Sequence, residues 1–140
     1  MSKNYNPLFP GGVLNAQATF ENADGTTIKD LVTAPSEGCR IDMLFASSDD
    51  TSDVDVLLYL NDGSNDIPIG RVTVPDGSGT NGTDKAVNLF TDAELPFLAL
   101  NEGNPALFLK SGWKLRAGMQ AAVTAAKSIY LVAIGGEYAA

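Results

Sequence analysis

Residues 53–62, DVDVLLYLND, decide the fold class of this chain. Its residues divide into two alternating sets. One set is entirely aliphatic, Val54, Val56, Leu58 and Leu60, and the other is Asp53, Asp55, Leu57 and Tyr59. Successive side chains of a β-strand point to opposite faces. The segment therefore predicts a strand with one face buried in a core.

The segments on either side continue the β pattern. Upstream, Ile41, Met43 and Phe45 occupy alternate positions, which predicts a strand with these three side chains buried. Downstream, residues 67–74, IPIGRVTV, predict a further strand. In this strand Pro68 suits a sheet edge or a bulge, because proline cannot donate a ladder hydrogen bond.

The outer parts of the chain show the same pattern around tight turns. Residues 15–34 predict a β-hairpin around the turn signal Asp24-Gly25. Residues 106–119 predict two strands joined by the turn Ser111-Gly112. The apolar, β-branched run of residues 128–138 is typical of a central strand.

The chain as a whole predicts about eight strands at intervals of about ten residues. We expect an all-β fold, a two-sheet antiparallel β-sandwich of the jelly-roll kind, formed as one domain by residues 15–140. An immunoglobulin-like sandwich is the alternative, although the two cysteines of antibody domains are absent.

Residues 1–14, MSKNYNPLFPGGVL, have neither a helical nor a strand period. Their prolines favour extended backbone, so that docking on a partner costs less entropy than it does for most segments. A disordered tail, or a strap folded back over the chain's own core, is the alternative. We expect an extended N-terminal arm that binds a partner through Tyr5, Pro7, Leu8, Phe9, Pro10 and Val13.

The charge of the chain bears on its partners. Seventeen acidic residues against nine basic ones give a net charge of −8, which repels phosphate backbones and anionic lipids. We therefore expect neither nucleic acid nor membrane as a partner, and no secretory signal or spanning segment is recognisable. Four basic residues predict either solvated strand faces or a small positive patch: Arg71, Lys110, Lys114 and Arg116.

Catalytic and metal chemistry have little support in the sequence. There is no histidine, which removes the commonest general base and metal ligand, and the single Cys39 is expected to be a buried, inert thiol. Four aspartates within residues 49–55 lack the spacing of a calcium loop. Thr91 and Glu94 predict a capped helical turn rather than a glycosidase pair of Asp92 with Glu94. We expect no cofactor, no metal and no enzymatic activity.

Five stretches carry a family resemblance: TFENADGTTIKDLVTAPSEGCRID, LYLNDGSNDIPIGRVTVP, AELPFLAL, ALFLKSGWKLRAG and AAVTAAKSIYLVAIGGEY. Across residues 15 to 138 the chain resembles the jelly-roll cement, or head decoration, proteins of tailed bacteriophages, and looks most like that of a Bordetella phage capsid. The resemblance lies in the sequences of these stretches and in their order along the chain, and it includes no catalytic motif.

The resemblance implies a non-enzymatic protein on the outside of a virion. Such a protein would bind the major capsid protein of an HK97-like shell, clamp neighbouring subunits and associate with itself as a homodimer or homotrimer. It would assemble in the host cytoplasm. The alternative is a carbohydrate-binding or host-adhesion jelly roll of a virion, for which Tyr59, Trp113 and Tyr130 are the candidate sugar-binding aromatics.

Overall fold

The computed structural model of the chain describes residues 11–91, 93–101 and 104–138. In these ranges the regular structure is ten β-strands and one short 3-10 turn, Asn22–Asp24, without an α-helix. The strands are β1 Gly12–Glu21, β2 Lys29–Thr33, β3 Cys39–Ser48, β4 Val54–Asn61, β5 Asp66–Val74, β6 Val87–Asn88, β7 Ala99–Asn101, β8 Asn104–Leu109, β9 Lys114–Met119 and β10 Ser128–Glu137.

The strands form two antiparallel sheets. The first has the order β1-β10-β3-β8-β7, with the short β6 also pairing with β3, and the second has the order β2-β9-β4-β5. Most strands that follow one another in the chain lie in opposite sheets, so the chain winds back and forth between the two layers. This is the predicted two-sheet jelly-roll sandwich, with two short strands beyond the eight expected.

The core lies between the sheets. It is built from inward-facing side chains that are less than 2% exposed, among them Phe20, Ile41, Leu44, Leu58, Leu115, Ile129 and Leu131. Each fully buried side chain of this size contributes about 1.5–3 kcal/mol relative to exposure. The prediction for β4 is confirmed, because its apolar face points into this core.

The prediction for β3 is wrong beyond its first residues. Ile41 is buried, but Met43 is 45% exposed, and Leu44 rather than Phe45 points inward. The cause is a bulge: Ile134 of β10 pairs with Met43, and the next residue, Gly135, pairs with Ile41, so that β3 has one residue more than β10. One extra residue exchanges the two faces of a strand.

The hairpin predicted for residues 15–34 is also wrong, because β1 and β2 lie in different sheets. The 3-10 turn after β1 is closed by a capping box in which the backbone N–H of Glu21 donates to Asp24 at 2.8 Å. Gly25 then turns the chain with φ at +56°. After this turn the chain crosses to the second sheet, where Leu31 and Val32 of β2 are buried in the core opposite β1.

Three local predictions are confirmed. Pro68 lies on the edge strand β5 at a register shift opposite Leu58 and Tyr59. The backbone N–H of Glu94 donates to the Thr91 hydroxyl at 3.2 Å, as expected for a cap. The run 128–137 forms β10, which lies between β1 and β3 in the interior of its sheet.

Strand β1 begins at Gly12, so residues 12–14 of the predicted arm pair with β10 in the first sheet. Five of the predicted arm contacts fall outside the described residues: Tyr5, Pro7, Leu8, Phe9 and Pro10. In the described part of the chain, no helix is long and apolar enough to cross a membrane.

Candidate partner-binding face

The outer side of the first sheet is covered with apolar side chains. On the central strand β10, Tyr130, Val132 and Ile134 point outward, away from the core. The register of β10 with β3 sets Val132 beside Phe45 and Ile134 beside Met43. We call the surface formed by these residues, together with Phe108 and Val13, the apolar face.

The apolar face is open to solvent. Met43 is 45% exposed, Phe108 50%, Tyr130 40% and Ile134 37%, while Val13 at the start of β1 is 77% exposed. Single exposed apolar residues are ordinary, but a contiguous group on neighbouring strands is typical of an interaction site. The flat surface of a sheet also suits contact with another folded protein.

The polar residues around this surface carry almost no charge. On β1 the outward positions are Asn15, Gln17 and Thr19, and Ser47 and Asn88 lie at the other side. Among the described residues of this side there is one ion pair, between Arg40 and Asp42. The Arg40 Nε lies 2.8 Å from the Asp42 Oδ1 without pointing its N–H at it, and an Arg40 Nη donates to Oδ2 at 3.2 Å. Such a surface loses little hydration when a partner covers it.

The outer side of the second sheet is different. Arg116 of β9 donates to Asp30 at 2.8 Å and to Asp66 at 2.9 Å, and Lys114 also binds Asp30 at 2.9 Å. Hydrogen bonding to Lys114, followed by the charges of both cations, lowers the pKa of the Asp30 carboxyl. This ion-paired network is suited to contact with water rather than to burial, since covering it would remove solvation from several charges.

The same network answers the question of a positive patch. Of the four basic residues singled out in the sequence, Lys114 and Arg116 are neutralised by carboxylates of their own sheet, and Arg71 lies 3.4 Å from Asp55. The positive patch is therefore absent from the described outer surface of β9 and β5. What remains is a surface of alternating charge.

The carboxylates of the acidic loop, residues 49–55, accept hydrogen bonds from other groups of the same chain. Asp50 is only 3% exposed and accepts hydrogen bonds from Ser52, from the backbone N–H of Thr124 at 2.9 Å and from its hydroxyl at 2.7 Å. Burial alone would raise the pKa of Asp50, but these hydrogen bonds outweigh it and the pKa lies below its ordinary value. Asp49 accepts from the backbone N–H of Ser128 and Asp53 from that of Asp76.

A groove of about 570 Å³ lies beside this loop, lined by Asp50, Asp53, Asp55, Thr73 and Gln120 among others. Its carboxylates already accept hydrogen bonds from protein groups, including 2.6 Å from the Thr73 hydroxyl to Asp55. Among the described residues, no group of three or more acidic or cysteine side chains is arranged to hold a metal ion.

The other residues considered for chemistry are separated from one another. Cys39 is 1% exposed, and burial, followed by the charge of Glu137, raises its pKa to about 11, which fits the predicted inert thiol. Asp92, the proposed partner of Glu94, lies outside the described residues. Of the candidate sugar-binding aromatics, Tyr59 and Tyr130 lie on different sheets, and Trp113 packs partly against the core, so they do not form one platform.

Sequence reasoning missed the apolar face, apart from Val13. A signal for it was present in β10, where the alternate positions 130, 132 and 134 are apolar as well as the buried ones. A strand in the middle of a sandwich sheet has one core side only, so its second apolar side has to face outward. For β3 the outward-facing residues could not be inferred in this way, because they depend on the position of the bulge.

The fold has counterparts among solved structures. No protein-family model matches the chain, and no curated protein sequence matches it. Among solved structures, it is similar to a chain of the acidic stable capsid structure of Helicobacter pylori bacteriophage KHP30, with a TM-score of 0.53 and 14% identity over 91% of this chain and 90% of that one.

A second similar structure is the core of the NLP protein of Drosophila, described for pentamer formation and histone binding. It has a TM-score of 0.47 and 10% identity over 91% of this chain and 99% of that chain, too weak to support an inference. The likeness to the phage capsid chain concerns the fold and does not extend to the Bordetella phage cement protein in particular.

Proposed function

We propose that this chain is a structural protein of a phage virion, a cement or decoration protein without enzymatic activity. It binds the outer surface of an HK97-like shell, clamps neighbouring major capsid subunits and associates with itself. The apolar face is the observation on which this proposal rests, and the fold shared with a phage capsid chain supports it. Major capsid protein is the partner that covers the face.

The size of the apolar face fits this role. Full burial of a Met, Ile or Phe side chain is worth about 1.5–3 kcal/mol, so that covering the exposed 37–50% of Met43, Phe108 and Ile134 is worth about 1 kcal/mol each. A cement protein present in many copies on a shell needs no more than a moderate affinity for each site, because the contributions of all copies add to the stability of the shell.

Charge supports the same orientation. Among the described residues, the apolar face carries one ion pair, Arg40 with Asp42, whose two charges cancel, so this face does not share the net negative charge of the chain, −8. The ion-paired outer surface of the second sheet remains hydrated when the first sheet is covered. The acidic surface also keeps the protein away from the packaged genome during assembly in the host cytoplasm.

The start of the described chain lies beside the face. Val13 is on the outward side of β1, next to Gly136 of β10, and the chain continues from there towards residue 1. The described chain therefore begins at the edge of the apolar face, and residues 1–10 precede this point in the sequence. We propose that they extend the contact to a second capsid subunit, which would account for clamping.

The experiment compares binding to phage capsids that lack this protein, measured by co-sedimentation over a range of concentrations. Replacement of Met43, Phe108 and Ile134 by Thr keeps good strand-forming residues and removes about 3 kcal/mol of burial, which is about a hundredfold in Kd. The matched control is Ile67→Thr, since Ile67 is 42% exposed but belongs to the second sheet.

We expect the triple variant to lose binding and Ile67→Thr to retain it, with the same melting temperature in each case within a few degrees. A truncation that removes residues 1–10, and leaves β1 complete, is expected to weaken binding further. Equal binding by the wild type and the triple variant would overturn the proposed interface. Failure of the wild type to bind any capsid would overturn the function itself.

A further inference from the structure

Strand β1 lies at the edge of the first sheet and has a long side on which no other described strand pairs. It pairs with β10 over ten consecutive residues, Gly12–Glu21, without a register shift. The nine residues Gly12–Phe20 contain no charged residue and no proline. A long, regular and uncharged edge is a template on which another strand can pair, and natural sheets usually protect such edges.

The other described edges of the two sheets are protected. Strand β2 has only five residues and carries Lys29 and Asp30. Strand β5 has Pro68, Arg71 and a bulge, and β7 has only three residues. The openness of β1 is therefore not a general property of this fold's edges.

The unpaired side of β1 is partly closed at one end only. The Lys29 ammonium donates to the carbonyl of Thr19 at 2.7 Å, and the backbone N–H of Glu21 donates to Asp24 at 2.8 Å. Within the described residues, the backbone groups of Gly12–Ala18 have hydrogen-bond partners on β10 alone. Seven residues of edge, about 23 Å at 3.3 Å per residue, are thus open for pairing.

We infer that β1 pairs with β1 of a second copy of this chain, in antiparallel orientation, so that the two first sheets join into one. The inference specifies the self-association included in the proposed function, but it does not depend on capsid binding. An isologous contact requires a surface that is complementary to itself. Strand β1 meets this requirement, because its neutral residues meet neutral residues when it is paired with its own copy.

The position of Glu21 favours the antiparallel orientation. It is the only charged residue of β1 and lies at the C-terminal end of the strand. Antiparallel pairing brings this end towards the glycines at the start of the other β1, whereas parallel pairing would place two glutamates side by side. Like charges directly opposite each other destabilise a strand pair.

The pairing is expected to be weak in solution. A strand edge about 23 Å long on a sandwich about 10 Å thick buries about 230 Å² on each copy, well below a standard interface, although about seven main-chain hydrogen bonds add to it. Two copies of net charge −8 also repel each other. Salt screens this repulsion, so that self-association should increase with ionic strength.

The test is sedimentation equilibrium of the full chain without capsids, from micromolar to millimolar concentration and at two salt concentrations. The variant Asn15→Glu with Gln17→Glu places carboxylates at the middle of the edge, where both side chains are exposed. The matched control, Asn15→Thr with Gln17→Thr, changes the same positions without adding charge. We expect the wild type and the Thr variant to form dimers and the Glu variant to dimerise about tenfold more weakly.

Disulfide formation then reports which strand is at the interface. Asn15→Cys on β1 is expected to give a covalent dimer under mild oxidation, because Asn15 is the middle residue of the open edge Gly12–Ala18 and lies opposite its own copy, within disulfide range. The native Cys39 is buried and serves as an internal control that does not cross-link. Thr73→Cys, on the edge strand β5, is expected to remain monomeric.

Three results would overturn the inference. They are a wild type that stays monomeric throughout, a Glu variant that dimerises as well as the Thr variant, and a dimer that forms only after residues 1–10 are removed. The last result would mean that the chain's own N-terminal segment covers the edge. Capsid binding is measured separately with the Thr variant, so that a failure of the proposed function is distinguished from a failure of this pairing.

Discussion

Replacement of Asp50 by Ala should lower the free energy of unfolding more than any other alanine replacement in the acidic loop of residues 49–55. Asp50 is 3% exposed, and its carboxylate accepts two hydrogen bonds from Thr124 and one from the backbone N–H of Ser52. Its carbonyl also accepts from the N–H of Gly77. The residue thus joins the β3–β4 loop to the loops that precede β6 and β10.

The magnitude follows from which donors lose their partner. Thr124 and Ser52 are themselves exposed, and all three of their hydrogen bonds to Asp50 are partly buried, so each unpaired donor costs about 1 kcal/mol, the low end of the range for a buried donor. Asp50→Ala should therefore lower the free energy of unfolding by about 2–4 kcal/mol. For a domain of this size the melting temperature falls by about 10 °C.

The same carboxylate makes stability depend on pH. Its pKa in the folded protein lies below the ordinary value because the hydrogen bonds from Thr124 and Ser52 outweigh the effect of burial. The stabilisation is fully present above the unfolded pKa of about 3.9 and is lost as the pH falls through the folded pKa. Asp50→Ala should remove this part of the acid destabilisation.

The assay is urea denaturation at pH 7 and at intervals down to pH 3, followed by circular dichroism. The control is Asp53→Ala in the same loop, where an exposed carboxylate accepts one hydrogen bond from Asp76, with an expected loss of about 1 kcal/mol or less. If Asp50→Ala and Asp53→Ala were equally stable, the role assigned to the buried carboxylate would be refuted.

Two further predictions concern the region around the bulge of β3. Gly135→Ala should lower the free energy of unfolding by about 3 kcal/mol in urea denaturation, because an added Cβ would overlap the carbonyl oxygen of Arg40, while Gly12→Ala, with open space around it, should have little effect. Cys39 should resist alkylation at pH 8 in the native protein and react fully in urea, since burial, followed by the charge of Glu137, raises its pKa to about 11. Rapid native labelling would contradict the position of this thiol in the core.

The sandwich could be predicted because the patterns that indicate its strands lie within short segments of the sequence. In β4 the alternation of Val54 and Val56 with Asp53 and Asp55 determines both the strand and its buried side, without knowledge of the neighbours. Pro68 likewise predicts an edge or bulge from its missing N–H alone, and the structure has both. These signals depend on the properties of single residues and their order.

The misassigned elements depend on pairing that is distant in sequence. The alternation of Ile41, Met43 and Phe45 is regular in the sequence. The bulge opposite Gly135, however, exchanges the inward and outward faces of β3 after Ile41. Gly135 lies over ninety residues away, and its missing side chain permits the close approach of β3. In the same way, the turn at Asp24-Gly25 indicates that the chain reverses, but not that it changes sheet.

The candidate site was harder to predict than the fold. An apolar residue on a strand was interpreted as core, and only the positions of both sheets show that Met43, Phe108 and Ile134 point outward. The predicted arm contributed Val13 to the apolar face, while its other five residues remain a prediction. Interaction surfaces made by several strands are a property of the assembled sheet rather than of any one segment.

The apolar face and the open edge of β1 are geometrically linked. Antiparallel pairing of two copies of β1 relates them by a two-fold axis perpendicular to the joined sheet, because this is the local symmetry of antiparallel strands. Both apolar faces then point to the same side, and both ion-paired surfaces point to the other. A dimer formed in this way presents two binding faces to one shell, and binding of the first raises the effective concentration of the second. A weak edge contact in solution is therefore compatible with a stable dimer on a capsid, because the shell itself holds the two copies next to each other.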